Sequence, residues 1–158
     1  MVKQKNNSSE EKLQKLLDKV YRFLSFRPRS EKEIADYFKK RKIAAELTRK
    51  LFKILREQKL IDDFGFAQWW VEQRESFRPK GKIALKAELK QRGINDQIIE
   101  KILSQVDEFA LAKKAVQKKI KIYKKLSPKE FQQKIFTFLS SRGFSWQTIE
   151  KIIDDYSH

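Results

Sequence analysis

Apolar residues recur at intervals of three and four along most of the chain, which is the spacing of one face of an α-helix. The pattern breaks at capping residues, glycines and prolines, and these breaks divide the chain into nine predicted helices. Ser8 or Ser9 is predicted to cap the first helix, and Ser30 with Glu33 forms a capping box at the second. The other helices are predicted at about 44–58, from Asp62 or Asp63, from Pro79 to Gly93, from Asn95, over 107–125, from S-P-K-E at 127–130, and over 146–156. The pattern therefore predicts an all-α protein.

The helical pattern repeats with a period near 50 residues. SFRPRSEKEI begins at residue 25 and SFRPKGKIAL at residue 76, and SRGF at 141 matches QRGI at 91. A three-helix unit of this size leaves one apolar face exposed, so stacked units form a continuous core. We expect three tandem three-helix repeats in an elongated curved array. The predicted boundaries are a flexible polar tail at 1–9 and repeats at 10–60, 61–106 and 107–158.

The composition excludes several kinds of site. The chain has no cysteine, and its one histidine is His158, so disulfides, thiolate or imidazole metal sites and Ser-His-Asp catalysis lack their residues. No Gly-rich phosphate loop or zinc-ligand spacing occurs. We expect no enzyme activity, no metal and no cofactor. No apolar run approaches the ~20 residues that span a bilayer, and the polar N-terminus lacks the apolar segment of a secretory signal, so we expect a cytoplasmic protein without membrane contact.

A net charge of +16, from 37 Lys and Arg against 21 Asp and Glu, favours a polyanionic partner. The seventh helix carries its lysines in one stripe, because Lys114, Lys118, Lys121 and Lys125 fall within about 60° at 100° per residue. Lysine stripes are commonly solvated faces. Contact with a phosphate backbone or an acidic protein groove fits this stripe as well as a solvated face does, because no acidic residue lies between positions 109 and 129 to balance it.

A second basic cluster surrounds the start of the fifth helix. Glu75 and Glu88 partly balance it, which favours a structural role. Its members are Arg74, Arg78, Lys80, Lys82, Lys86, Lys90 and Arg92. Arg92 belongs to a repeated set with Arg41 and Arg142, and a cation in the last turn of a helix complements its dipole by about 0.3–1 kcal/mol.

Trp146 follows the predicted cap Ser145, at a first-turn position that is normally exposed. It could stack on a base or enter a partner's pocket. Packing against the preceding repeat is the favoured alternative.

Three segments resemble the RecX family of RecA regulators: RPRSEKEI (27–34), LIDDFGFAQWWVEQR (60–74) and KAELKQRGINDQIIEKIL (86–103). Lys42 departs from the repeat, because repeats two and three have glycine there. Positions that match the family and look mainly structural are Asp63, Phe66, Leu89, Gly93 and Ile94.

The resemblance implies a three-repeat array that lies in the groove of the RecA–single-stranded-DNA filament. There it would restrain filament growth, ATP hydrolysis and strand exchange during recombination and repair. It implies RecA as the partner of a monomeric protein, with direct contact to ssDNA or dsDNA backbone as a further expectation.

Two alternatives come from other classes. Residues 30–61 could be a helix-turn-helix of a winged-helix transcription regulator, which would require strands after Ile61. The high positive charge also permits a helical RNA-binding protein.

Overall fold

The computed structural model describes residues 2–157 of the chain, and the side chains of residues 8–157. Within that range it forms nine helices and no strand, which confirms the all-α prediction. The helices are α1 (Val2–Phe26), α2 (Glu31–Lys40), α3 (Ala45–Glu57), α4 (Asp63–Ser76), α5 (Lys82–Gln91), α6 (Asp96–Ser104), α7 (Glu108–Tyr123), α8 (Pro128–Ser141) and α9 (Trp146–Tyr156).

One prediction about a helix start is wrong. Helix α1 begins at Val2, so Ser8 and Ser9 lie within it and neither is its N-cap. No glycine or proline precedes these serines to stop the helix, and it therefore continues through the segment predicted as a tail. The winged-helix alternative is also wrong, because α4 occupies the position where its strands would have to begin.

The first compact unit comprises Met1–Phe66. Its buried core is drawn from all three helices of the first repeat, and consists of Leu17, Val20, Ile34, Phe38, Leu51 and Leu55. Helix α2 begins with the predicted capping box, in which the Glu33 N–H donates to Ser30 Oγ over 3.1 Å and the Ser30 N–H donates to Glu33 Oε1 over 3.1 Å. Asp63 adds a further acceptor, since its Oδ1 lies 2.8 Å from the main-chain N of Glu31.

The second compact unit comprises Ala67–His158. Two main-chain segments of this unit approach closely at the start of α5. The N–H of Gly81 donates to the carbonyl of Arg142 over 3.0 Å, and the N–H of Ile83 donates to the carbonyl of Gly143 over 3.1 Å. A Cβ on Gly81 would lie 2.3 Å from the Gly143 carbonyl oxygen. Only glycine fits there, so this pair of glycines fixes how α5 meets the end of α8.

The second helix of each repeat ends in the same turn. The N–H of Ile43, Ile94 and Phe144 donates over 3.1 Å to the carbonyl five residues earlier, as in a Schellman motif. The residue before each of these donors has a left-handed backbone. Repeats two and three place glycine there, whereas repeat one has Lys42 with φ 54°, a conformation that costs a non-glycine residue about 1–2 kcal/mol.

Candidate functional site

The lysine stripe of α7 is exposed along its whole length. Lys114 differs from the others, because its Nζ donates to the main-chain carbonyl of Glu75 in the last turn of α4. It therefore satisfies a helix-terminal acceptor. Among the residues whose side chains are described, Lys118, Lys121 and Lys125 take part in no ion pair or side-chain hydrogen bond.

An aliphatic side chain lies beside these lysines. Ile122 is 61% exposed, one residue after Lys121 and four after Lys118. We call Lys118, Lys121, Ile122 and Lys125 together the α7 surface. It covers the last residues of α7 and the turn that follows, because the helix ends at Tyr123, before the predicted end at residue 125, and Lys125 lies in that turn. Among the described residues, it combines positive charge that has no ion-pair partner with an exposed apolar group.

The second basic cluster is largely engaged in internal contacts. The Glu88 carboxylate lies 2.6 Å from Trp70 Nε1, 3.0 Å from Arg74 Nε and 2.7 Å from Lys80 Nζ. Burial by itself raises the pKa of Glu88, but hydrogen bonds from Lys80, Trp70 and Arg74 hold this pKa below its ordinary value. Arg74 and Lys80 are thus held against α5 by a carboxylate of their own unit.

Arg92 and its repeats stack on aromatic rings. The guanidinium carbon of Arg92 lies 3.7 Å from the ring centroid of Trp70, and its Nη1 donates to the Glu88 carbonyl over 3.1 Å. Arg142 lies 4.6 Å from Phe138, and Arg41 lies 4.3 Å from Tyr37. The repeated arginines therefore form cation–π contacts at the ends of their helices.

The remaining cations of the second cluster lie in mixed surroundings. Lys82 and Lys86 line a groove of about 540 Å³ between α5 and α6, which also contains Asp96 and Glu100. The groove is not uniformly positive, since Lys90 within it pairs with Asp96 at 3.5 Å. Arg78 is exposed in the turn before α5, with a left-handed φ of 52°.

Trp146 is 58% exposed at the first position of α9. Its ring centroid lies 5.6 Å from that of Phe136 on α8, in an edge-to-face arrangement. Both rings line a shallow groove of about 470 Å³ whose other walls include Ile149 and Ile153. The tryptophan thus contacts its own repeat and leaves much of its surface open to solvent.

The residues predicted to be structural lie at packing positions or turns. Phe66, Leu89 and Ile94 are buried, and Gly93 has φ 78° in the Schellman turn after α5. Asp63 receives the hydrogen bond from the start of α2 described above. Burial raises the pKa of Asp63 above its ordinary value, against the opposing effect of that hydrogen bond.

One cluster was not among the sequence predictions as a whole. Lys39 and Lys40 end α2, Arg41 and Lys42 follow in the turn before α3, and all four are exposed. The run K-K-R-K was visible in the sequence, but only the repeated arginine was singled out.

No helix within residues 2–157 is both long and apolar enough to cross a membrane.

Three family models match the sequence of this chain, one for each three-helix repeat. They are described as the first, second and third three-helix domains of RecX, and they match residues 17–51, 62–103 and 106–153. The Regulatory protein RecX of Chlorobaculum tepidum is 33% identical over 144 residues, which cover 91% of this chain and 89% of that protein. The chain belongs to the RecX family. The predicted organisation as three tandem three-helix repeats is thereby confirmed.

Other RecX proteins are similar to this chain but differ in length. The Regulatory protein RecX of Bacillus pumilus is 38% identical over 136 residues, which cover 84% of this chain and 52% of that protein. The chain thus spans about half the length of this relative. The crystal structure of RecX from Lactobacillus salivarius matches with a TM-score of 0.82 and 25% identity, over 94% of this chain and 98% of that one. A second RecX crystal structure matches with a TM-score of 0.78 and 27% identity, over 94% of this chain and 75% of that one.

Proposed function

We propose that this RecX family protein regulates the RecA recombinase by binding as a monomer in the groove of the RecA–ssDNA filament. There it limits filament growth, ATP hydrolysis and strand exchange. Related proteins carry the name Regulatory protein RecX, which supports a regulator rather than an enzyme. Three similar domains in tandem suit a repeating partner, because several weak contacts along one filament add up to a high affinity.

The α7 surface carries the structural part of this proposal. Its three lysines are exposed and pair with no carboxylate in the described part of the chain, and Ile122 among them is 61% exposed. An acidic protein surface with an apolar pocket would neutralise the lysines and bury the isoleucine, whereas a phosphate backbone would leave the isoleucine without a contact. We therefore assign the α7 surface to the RecA protein rather than to DNA.

The direct test reverses the charge of this surface. We expect the triple variant K118E/K121E/K125E to bind RecA–ssDNA filaments at least about tenfold more weakly, because attraction to an acidic surface becomes repulsion. Inhibition of RecA ATP hydrolysis should weaken in parallel. Filament binding is measured by co-sedimentation at ~0.15 M salt, where nonspecific attraction of a basic protein is partly screened.

The chain offers a matched control on α1. Lys12, Lys15 and Lys19 have the same spacing and are equally exposed, but Glu11 and Asp18 lie beside them. K12E/K15E/K19E changes the net charge by the same amount and should retain filament binding. Equal loss in both variants would mean that net charge alone governs binding, and the assignment of the α7 surface would then be wrong.

Binding to bare RNA tests the remaining alternative, which is a helical RNA-binding protein. Tight RNA binding together with unchanged RecA ATP hydrolysis would favour the helical RNA-binding protein.

A further inference from the structure

Four consecutive cations lie at the end of α2 and in the turn that follows. Lys39, Lys40, Arg41 and Lys42 are all exposed. Among the residues with described side chains, none of these four takes part in an ion pair. The preceding acidic residue, Asp36, pairs with Lys32 instead. Adjacent cations repel one another, so this arrangement favours an anionic ligand.

Arg41 is held in a fixed orientation within this turn. Its guanidinium lies 4.3 Å from the Tyr37 ring centroid, and Tyr37 stacks on Phe23 with centroids 4.3 Å apart and an interplanar angle of 25°. Arg29 covers Phe23 at 4.0 Å. A guanidinium stacked on a ring keeps its N–H groups free at its edge, which is the geometry that recognises phosphate oxygens.

Lys42 gives a second, independent indication. Its backbone is left-handed with φ 54°, at the position where Gly93 and Gly143 complete the same turn in the other repeats. Glycine would adopt this conformation without strain. Lys42 thus places a charged side chain next to Arg41, at a position where the other two repeats have no side chain.

We propose that residues 39–42, at the end of α2 and in the turn that follows, bind the phosphodiester backbone of single-stranded DNA. Each nucleotide of a single strand carries one negative phosphate charge, and neighbouring exposed cations can neutralise several of these charges together. None of the large exposed apolar residues in the described chain falls within residues 39–42, so this surface lacks the apolar anchor found at the centre of protein interfaces. The α7 surface has such an anchor, and the two surfaces therefore suit different partners.

A comparison of two glycine substitutions tests the proposal. Lys59 is exposed, has φ 58° and ends α3 in the same kind of turn, with the Leu60 N–H donating to the Leu55 carbonyl over 2.8 Å. K42G and K59G each remove one positive charge and one strained backbone. Both should therefore raise Tm by about 2–4 °C.

Only K42G should weaken DNA binding. For a labelled single-stranded oligothymidylate, we expect about fourfold lower affinity at ~0.15 M salt, and a slope of log affinity against log salt that is smaller by about 0.7. The variant K39Q/K40Q/R41Q/K42Q should reduce that slope by up to about 3. Circular dichroism verifies that this variant keeps its helices.

The proposal is overturned if K42G and K59G bind the oligonucleotide equally, whether both are weakened or both are unchanged. Tighter binding to oligouridylate than to oligothymidylate would replace DNA by RNA as the ligand. This proposal rests on the proposed function in one respect, namely that the RecA–ssDNA filament is the source of the single-stranded DNA. The two proposals can fail separately. If the parent protein does not change RecA ATP hydrolysis but K39Q/K40Q/R41Q/K42Q loses binding to bare DNA, the proposed function is wrong and the DNA site stands.

Discussion

The carboxylate of Glu108 accepts a hydrogen bond from the main-chain N–H of Lys82, with 2.7 Å between Oε2 and the nitrogen. Its other oxygen, Oε1, accepts from the Ser145 N–H over 3.1 Å and from the hydroxyls of Ser145 and Thr148, each over 2.6 Å. One side chain at the start of α7 thus satisfies donors at the starts of α5 and α9. Asp63, at the start of α4, accepts from the start of α2 in the same way.

We predict that Glu108→Gln lowers the free energy of unfolding by about 1–3 kcal/mol. A glutamine replaces one acceptor oxygen by an NH₂ group, which leaves at least one donor around this nearly buried side chain without an acceptor. Urea denaturation measures the change. Glu100→Gln on α6 is the control, because Glu100 is exposed and its substitution should alter stability by less than about 0.5 kcal/mol. Equal effects of the two substitutions would contradict the structural role of Glu108.

The pH dependence of stability should distinguish Glu108 from Asp63. Burial raises the pKa of Glu108, but hydrogen bonds from Ser145, Thr148 and Lys82 outweigh burial and hold this pKa below its ordinary value. The stability from this carboxylate is therefore present above its unfolded pKa, ~4.3, and lost as pH falls through its folded pKa. The difference in unfolding free energy between the parent and Glu108→Gln should be constant above about pH 5 and shrink below about pH 4.

Asp63 should show the opposite trend, because burial raises its pKa. A raised pKa contributes stability below the unfolded value, ~3.9, and this contribution is lost as pH rises through the folded pKa. Asp63→Asn cannot ionise and keeps an oxygen for the Glu31 N–H. Relative to the parent, it should therefore be more stable near pH 7 than near pH 3, as measured by urea denaturation. The reverse order would show that the ionised carboxylate is required.

We predict that Gly81→Ala destabilises the protein by about 1–3 kcal/mol or more. Its new Cβ would lie 2.3 Å from the Gly143 carbonyl oxygen and 2.4 Å from Phe144 Cα, both of which are main-chain atoms that cannot rotate away. Gly65→Ala is the control, since its Cβ would meet only the side chain of Asp62. Thermal denaturation should show a much smaller decrease in Tm for Gly65→Ala. A tolerated Gly81→Ala would mean that α5 can move away from the end of α8.

Trp146 and Phe144 should differ strongly in their effect on stability. Trp146 is 58% exposed, so Trp146→Ala should cost less than about 1 kcal/mol. Phe144 is 3% exposed, and Phe144→Ala should cost about 3–5 kcal/mol by leaving a cavity in the core. Chemical denaturation followed by circular dichroism measures both. A large loss in Trp146→Ala would mean that its contact with Phe136 is part of the core.

The helices and their repeat could be read from the sequence because their signals are local. The capping oxygens of Ser30, Asn95 and Ser145 bond to N–H groups three residues away in the chain. The repeated apolar positions Ile34, Leu85 and Ile135 are fully buried, as a helical period predicts. The start of α1 was missed because no stop signal precedes its serines. Glu108 was missed because its partners lie 26 to 40 residues away.

The sequence by itself therefore determined the helices, the three repeats and the family, because short-range capping and apolar spacing specify them. Only the tertiary structure decided which cations remain available to a partner. Glu88 engages Arg74 and Lys80 from 14 and 8 residues away, and the carbonyl of Glu75 engages Lys114 from 39 residues away. Ion pairs form within a few ångströms in space regardless of separation along the chain, so a charge pattern alone cannot separate a neutralised lysine from an available one.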